Sequence, residues 1–173
     1  MLKFESWRIT HHGAVIRQPG GRLPIWWYDE IRPLLVAAQP LLWEYAASLE
    51  RDAATEGYRV RSHSVDEWLT YISVKANADD AVLTELRTRL VASGLPEELA
   101  LHHNGNNLAI TVRGVQKHDA VRRVAMELKQ EGPIVTIGAG DSLTDIPFLR
   151  GCDFALVPRD SQIQTETWRE YAP

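Results

Sequence analysis

Pro133-Ile134-Val135-Thr136-Ile137, running into Gly138-Ala139-Gly140-Asp141-Ser142-Leu143-Thr144-Asp145, is the stretch whose reading decides the fold. A continuous β-branched run is the pattern of a strand buried on both faces of a parallel sheet. The glycines after it permit close backbone approach, and a short helix is predicted from Asp145 to about Leu149. Phe154-Ala155-Leu156-Val157 reads as a second buried strand. Upstream, Lys117 to Gln130 places Val121, Val124, Ala125 and Leu128 on one helical face. Strands alternating with helices in this way imply a parallel α/β sheet.

The preceding residues follow another grammar. From Asp29 to about Ala54 apolar residues recur at helical spacing (Ile31, Leu34, Leu35, Ala38, Leu41, Leu42, Tyr45, Leu49), with Asp29 as the expected N-cap. Pro33 is tolerable in a first turn, whereas Pro40 predicts a kink or two helices. Strands are predicted at Tyr58–Ser62 and Leu69–Val74, then a helix from about Asp79 to Ala92. Asn104-Gly105-Asn106-Asn107 lies between two apolar runs and marks a hairpin. The middle of the chain therefore reads helix-strand-strand, twice. At the start, Trp7–Thr10 and His11–Ile16 read as two short strands, or a strand and a turn, before Gln18-Pro19-Gly20-Gly21.

Composition narrows the function classes. The chain has 173 residues, 19 Lys+Arg against 23 Asp+Glu, a net charge of −4 and 45% hydrophobic residues. An acidic balance without a basic stripe argues against a nucleic-acid binder. No apolar run approaches the roughly 18 residues that span a bilayer, and the N-terminus has no apolar signal core. The single Cys152 suits a reducing compartment. A cytoplasmic protein with no membrane or nucleic-acid partner is expected.

The candidate chemistry sits in the loop after Ile137. In an open parallel sheet, ligands bind beyond the carboxyl ends of the strands. Asp141 falls just past such an end, and Asp145 about one helical turn further on. Two hard oxygen ligands at an open cleft suit Mg²⁺. Equally, Asp141 and Ser142 can simply cap the helix while Asp145 binds local amides. Other candidates are weaker. His11-His12 and His102-His103 are disfavoured as zinc ligands, because adjacent strand side chains point to opposite faces. Trp26-Trp27 offers a sugar-stacking surface but reads first as core packing. His118 reads as surface, and Cys152 as a small core residue.

Gly140-Asp141-Ser142-Leu143-Thr144-Asp145 resembles the acidic metal-binding motif of the haloacid dehalogenase (HAD) superfamily, and Lys117 resembles its phosphate-pinning lysine. The helix-strand-strand repeat resembles the larger cap of the branch holding sucrose-phosphate and mannosyl-phosphoglycerate phosphatases. Ile9–Ile16 resembles the stretch before that cap, with His12 where Asn is usual. The resemblance implies an α/β chain: a partial parallel-sheet, Rossmann-like core from residues 1–21 and 113–173, with an α+β cap over 22–112. It further implies Mg²⁺-dependent hydrolysis of a phosphate monoester, expected to be a sugar phosphate. Asp141 and Asp145 would serve the metal, and Lys117, Asp141 and Asp145 the catalysis. Lys117, Ser142 and Arg113 would contact substrate.

One departure stands out. The family's nucleophile lies in Asp-X-Asp-X-Thr, and no two aspartates of this sequence are separated by one residue. The expectation is a phosphatase lacking its N-terminal nucleophile segment and inactive alone. The alternatives are an inactive phospho-ligand-binding or protein-interaction remnant, or one half of a split enzyme. Expected partners are a phosphorylated small molecule and, over an apolar seam on the core, a second copy of the chain or the missing segment.

Overall fold

The computed structural model describes residues 6–76 and 80–167. Two compact units divide the chain, Met1–Gln116 and Lys117–Pro173. The first contains β1 (Arg8–Thr10), β2 (Val15–Arg17), α1 (Ile25–Glu56), β3 (Tyr58–Val65), β4 (Trp68–Ala76), α2 (Ala81–Ala92), β5 (Leu99–Asn104) and β6 (Asn107–Val112). The second contains α3 (Lys117–Glu131), β7 (Ile137–Ala139), α4 (Ile146–Leu149), β8 (Phe154–Leu156) and α5 (Gln162–Thr167). The N-terminal strands, assigned on sequence to the same body as residue 113 onward, lie in the first unit. Among the described residues no helix is long and apolar enough to cross a membrane.

The repeated helix-strand-strand is present. Its strands form one antiparallel sheet in the order β3-β4-β6-β5, and α1 and α2 pack against it. The α1 stripe of Trp27, Ile31, Leu35, Ala38, Leu42, Ala46 and Leu49 is buried, as are Leu83, Leu86 and Leu90 of α2. They meet Ile72, Val74, Leu99, Leu108, Ile110 and Val112 of the sheet, all essentially inaccessible. Alternation along each strand puts these residues on one face and the polar ones on the other.

Helix α1 differs from its sequence reading at both ends and in the middle. It starts at Ile25 after Pro24 instead of being capped by Asp29, and it runs through Pro33 and Pro40 without a break. Both prolines are exposed, so the carbonyls they leave unpaired lie on the water side, where solvent can satisfy them. The hairpin turn lies at Asn104–Asn107, the segment that marks it in the sequence. Asn104 pairs with Asn107, leaving Gly105-Asn106 as the two-residue turn. Gly105, at φ 51°, supplies the positive φ that the first central position of such a turn demands. Helix α2 begins at Ala81, and the expected start at Asp79 lies outside the described residues.

The parallel sheet is smaller than its sequence suggests. Only Ile137–Ala139 is strand, paired with Phe154–Leu156. Asp153 and Thr136 clasp its entrance, Asp153 Oδ2 accepting from Thr136 N at 2.8 Å and Thr136 Oγ1 at 2.7 Å. The expectation of strands buried on both faces fails: Val135, Ile137, Phe154 and Leu156 are 58–70% exposed. β-Branched content reported strand propensity correctly, but burial needs covering elements, and among the described residues none lies on those side chains.

Gln39 holds α1 to the edge of β4. Its Nε2 donates to Leu69 O at 2.9 Å, and its Oε1 accepts from Leu69 N at 3.0 Å. The amide thereby replaces a neighbouring strand where β4 extends past its ladder with β6, which spans Tyr71–Lys75. Gln39→Leu should lower the unfolding free energy by about 1–3 kcal/mol, because two buried backbone groups lose partners. Urea unfolding with an unchanged midpoint would contradict this. The exposed seam makes a second prediction. Ile137→Thr with Phe154→Ser should reduce binding of an apolar dye while moving stability by no more than about 0.5 kcal/mol. Undiminished dye fluorescence would show that the seam is covered in solution.

Candidate active site

The site is built by the loop between β7 and α4. Gly140 N continues the parallel ladder to Leu156 O at 3.1 Å, and the chain then turns away through Asp141 and Ser142. A single 3-10 turn, Leu143–Asp145, leads into α4. Asp145 N donates back to Ser142 O at 2.9 Å. Leu143 N is held by Gln162 Oε1 at 3.1 Å, and Ile163 N by Asp141 O at 3.1 Å, so the start of α5 braces the loop.

Asp145 is the buried hub. Its Oδ2 accepts from Asp141 N, Ser142 N and Ser142 Oγ at 3.2, 3.3 and 3.2 Å. Its Oδ1 accepts from Lys117 Nζ at 2.7 Å. Burial alone would raise this carboxyl. The Lys117 hydrogen bond and charge, with the Ser142 and Asp141 amides, outweigh it and hold the group below its ordinary value. Lys117 opens α3, where the helix dipole disfavours a cation; the ion pair offsets that misfit. Its ammonium also lies 5.7 Å from the centre of the Phe148 ring. The lysine side chain remains 45% exposed against 9% for Asp145, so it can still meet an anion from solvent.

Glycine has a different role from the one its sequence position suggests. A Cβ on Gly140 would stand 2.6 Å from Asp145 Cβ, and one on Gly138 would stand 2.8 Å from Leu149 Cδ2. The space beside these glycines is filled by the protein's own side chains. Sequence reasoning missed this, and also missed Phe148 beneath Lys117; neither has a local sequence signal, since both arise from how α4 folds back.

Lys117, Asp141, Ser142 and Asp145 are thus brought together. Arg113 lies in the first unit, where its Nε donates to Glu97 O at 2.6 Å. Trp27 is core, fully buried with its indole N–H donating to Gly13 O at 3.0 Å, whereas Trp26 is half-buried beside Trp7.

For a divalent cation, the donor set is lopsided. The Asp141 carboxylate is exposed and makes no hydrogen bond or ion pair among the described residues. Both oxygens of Asp145 are already engaged. No group of three or more His, Cys, Asp or Glu able to hold a metal occurs among the described residues. Mg²⁺ keeps several waters and needs only one or two carboxylates, so the residues fit a weakly held ion on Asp141, with Asp145 ordering the loop.

No family model matches the sequence, and no curated protein matches it. Solved structures do. The sucrose-phosphatase of Synechocystis, in complex with sucrose and phosphate, aligns with TM-score 0.61 and 17% identity over 99% of this chain and 66% of its own. A Thermoplasma acidophilum protein aligns with TM-score 0.54 and 12% identity over 96% and 72%. A haloacid dehalogenase-like hydrolase of B. subtilis gives 0.50 and 17% over 98% and 80%. The fold is that of the haloacid dehalogenase-like hydrolases with a cap. The chain spans about two thirds of the sucrose-phosphatase.

Gly140→Ala should act through Asp145, destabilising by about 1–3 kcal/mol as an overpacked site does, and non-additively with Lys117→Met. Additive losses would place the effect elsewhere. The ion pair also carries a pH signature. Because the Asp145 pKa is lowered on folding, its stabilisation is complete above the unfolded carboxylate value of about 3.9 and is lost as pH falls through the folded value. The stability gap between the parent and Lys117→Met, measured in urea, should therefore close on acidification from pH 7 to pH 2. A constant gap would remove the pair from the account.

Proposed function

We propose that the chain is of the Mg²⁺-dependent, haloacid dehalogenase type of phosphate-monoester hydrolase, acting on a sugar phosphate, and that without an Asp-X-Asp nucleophile it is inactive alone. Its residues supply the charge-stabilising half of the chemistry. The observation that carries this reading is the half-exposed Lys117 ammonium fixed 2.7 Å from Asp145, whose other oxygen accepts from the backbone N–H of the exposed Asp141. Lys117 would neutralise phosphate oxygens, Ser142 would hold the loop, and Asp145 would keep the lysine aimed. Asp141 would hold the Mg²⁺, which when bound polarises a phosphoryl oxygen. The sugar phosphate is motivated by the sucrose and phosphate bound in the structurally similar phosphatase. A cytoplasmic location belongs to the same reading and rests on the single cysteine.

A second reading, a phospho-ligand binder without turnover or one half of a split enzyme, is favoured by one fact. The sequence has no Asp-X-Asp, and charge stabilisation does not replace an attacking carboxylate. Purified chain should accordingly show no Mg²⁺-dependent hydrolysis of p-nitrophenyl phosphate. Turnover abolished by Asp141→Ala would overturn that expectation. Binding tests the site itself: Lys117→Met should weaken inorganic phosphate by about tenfold or more, the worth of a charge-assisted hydrogen bond. Asp141→Asn should weaken Mg²⁺. Calorimetric titrations indistinguishable from the parent would sink the assignment.

A further inference from the structure

Helix α1 carries a second apolar stripe on the side away from its sheet. Its residues 33–43, Pro-Leu-Leu-Val-Ala-Ala-Gln-Pro-Leu-Leu-Trp, hold no charged side chain. The one polar member, Gln39, is engaged by the Leu69 backbone. Leu35, Ala38 and Leu42 are buried on the sheet side. The helical repeat puts Pro33, Val36, Ala37, Pro40, Trp43 and Ala47 on the opposite side, and all six are exposed. Val36 and Trp43 are each 52% exposed. A helix that is apolar all round is normally buried all round. A tryptophan amid uncharged small residues, with charges held to the margin, is the composition of an interface centre.

The margin is complementary to itself. Asp29 and Arg32 precede the stripe, and Glu50 and Arg51 follow it; all four are exposed and form no ion pair among the described residues. Two such helices laid antiparallel set Asp29 against Arg51, Arg32 near Glu50, and Val36 against Trp43. Laid parallel and in register, they would set each charge against its like. The prolines add a hydrogen-bonding match. Pro33 and Pro40 lack the N–H that would pair with the carbonyls of Asp29 and Val36, so each leaves an acceptor without its helical donor. Opposite these in the antiparallel arrangement stand two donors, the Arg51 guanidinium and the Trp43 indole N–H. That indole has no hydrogen-bond partner among the described residues.

We propose that α1 is the two-fold interface of a homodimer, packed antiparallel against α1 of a second copy about an axis near Pro40. Trp43 of each copy would cover Val36 of the other and donate to its carbonyl. Arg51 would pair with the Asp29 carboxylate, and Arg32 with Glu50. Every contact occurs twice, as a two-fold requires. Ala37, Ala47 and the prolines let the helices approach closely. The 32 residues of α1 span about 48 Å. A strip about 10 Å wide on each copy amounts to roughly 1,000 Å² in total, the size at which specific interfaces begin. None of these residues is Lys117 or belongs to the Gly140–Asp145 loop.

Sedimentation equilibrium of the full chain, from micromolar to submillimolar concentration, tests the proposal. A dimer is expected. Trp43→Glu should raise its dissociation constant about tenfold or more, as loss of a central tryptophan does, while far-ultraviolet circular dichroism stays unchanged. Asp29→Arg should weaken association, and Asp29→Arg with Arg51→Asp in one chain should restore it, because each copy then supplies the exchanged pair. Ile137→Thr with Phe154→Ser, on the exposed seam of the second unit, should leave association unaltered. A monomer throughout, whether or not it binds lipid vesicles, would overturn the proposal. So would a dimer indifferent to Trp43→Glu, one lost in the seam variant, or no recovery in the charge-exchanged chain.

Discussion

The alternation of side chains along a β-strand is the constraint on which the first unit depends. Once Ile72 and Val74 face α1 and α2, Tyr71, Ser73 and Lys75 must face the other way. The register with β3 then fixes Arg61 opposite Ser73 and Arg59 opposite Lys75. The apolar core and the row of Arg59, Arg61 and Lys75 on the opposite face are therefore two results of one parity. A one-residue slip in β3 would send its arginines under the helices and Tyr58 into water. Burial of Tyr58, whose phenol is pushed up to about 12 by desolvation, opposes such a slip.

In the second unit a single carboxylate organises the candidate site. Asp145 accepts from the Lys117 ammonium on one oxygen and from the Asp141–Ser142 backbone on the other. A buried carboxylate is tolerable only when its lone pairs are used, and here they are. The consequence is a division of labour between residues that look equivalent on paper. Asp145 is occupied by structure, whereas the Asp141 carboxylate is exposed and has no partner among the described residues. Gly140 makes this possible, because any Cβ there would occupy the space of Asp145.

The sequence by itself determined much of this protein. Periodicity located the buried stripe of α1, the pair of hairpins and the Lys117 helix, because hydrophobic spacing and turn chemistry are local properties. Gly140–Asp145 identified the loop that carries charge, and the alternation of Tyr58-Arg59-Val60-Arg61 already put two arginines on one strand face. Tertiary structure decided the rest. Whether a strand is covered depends on its neighbours, so Ile137 and Phe154 turned out exposed despite their composition. Whether a proline interrupts a helix depends on where its missing bond falls, and Pro40 faces water. Which aspartate is consumed by packing depends on what folds beside it, and α4 returns Asp145 to Gly140 while α3 delivers Lys117. Spacing brings residues within reach of one another; only the packed chain determines which of their lone pairs are already taken.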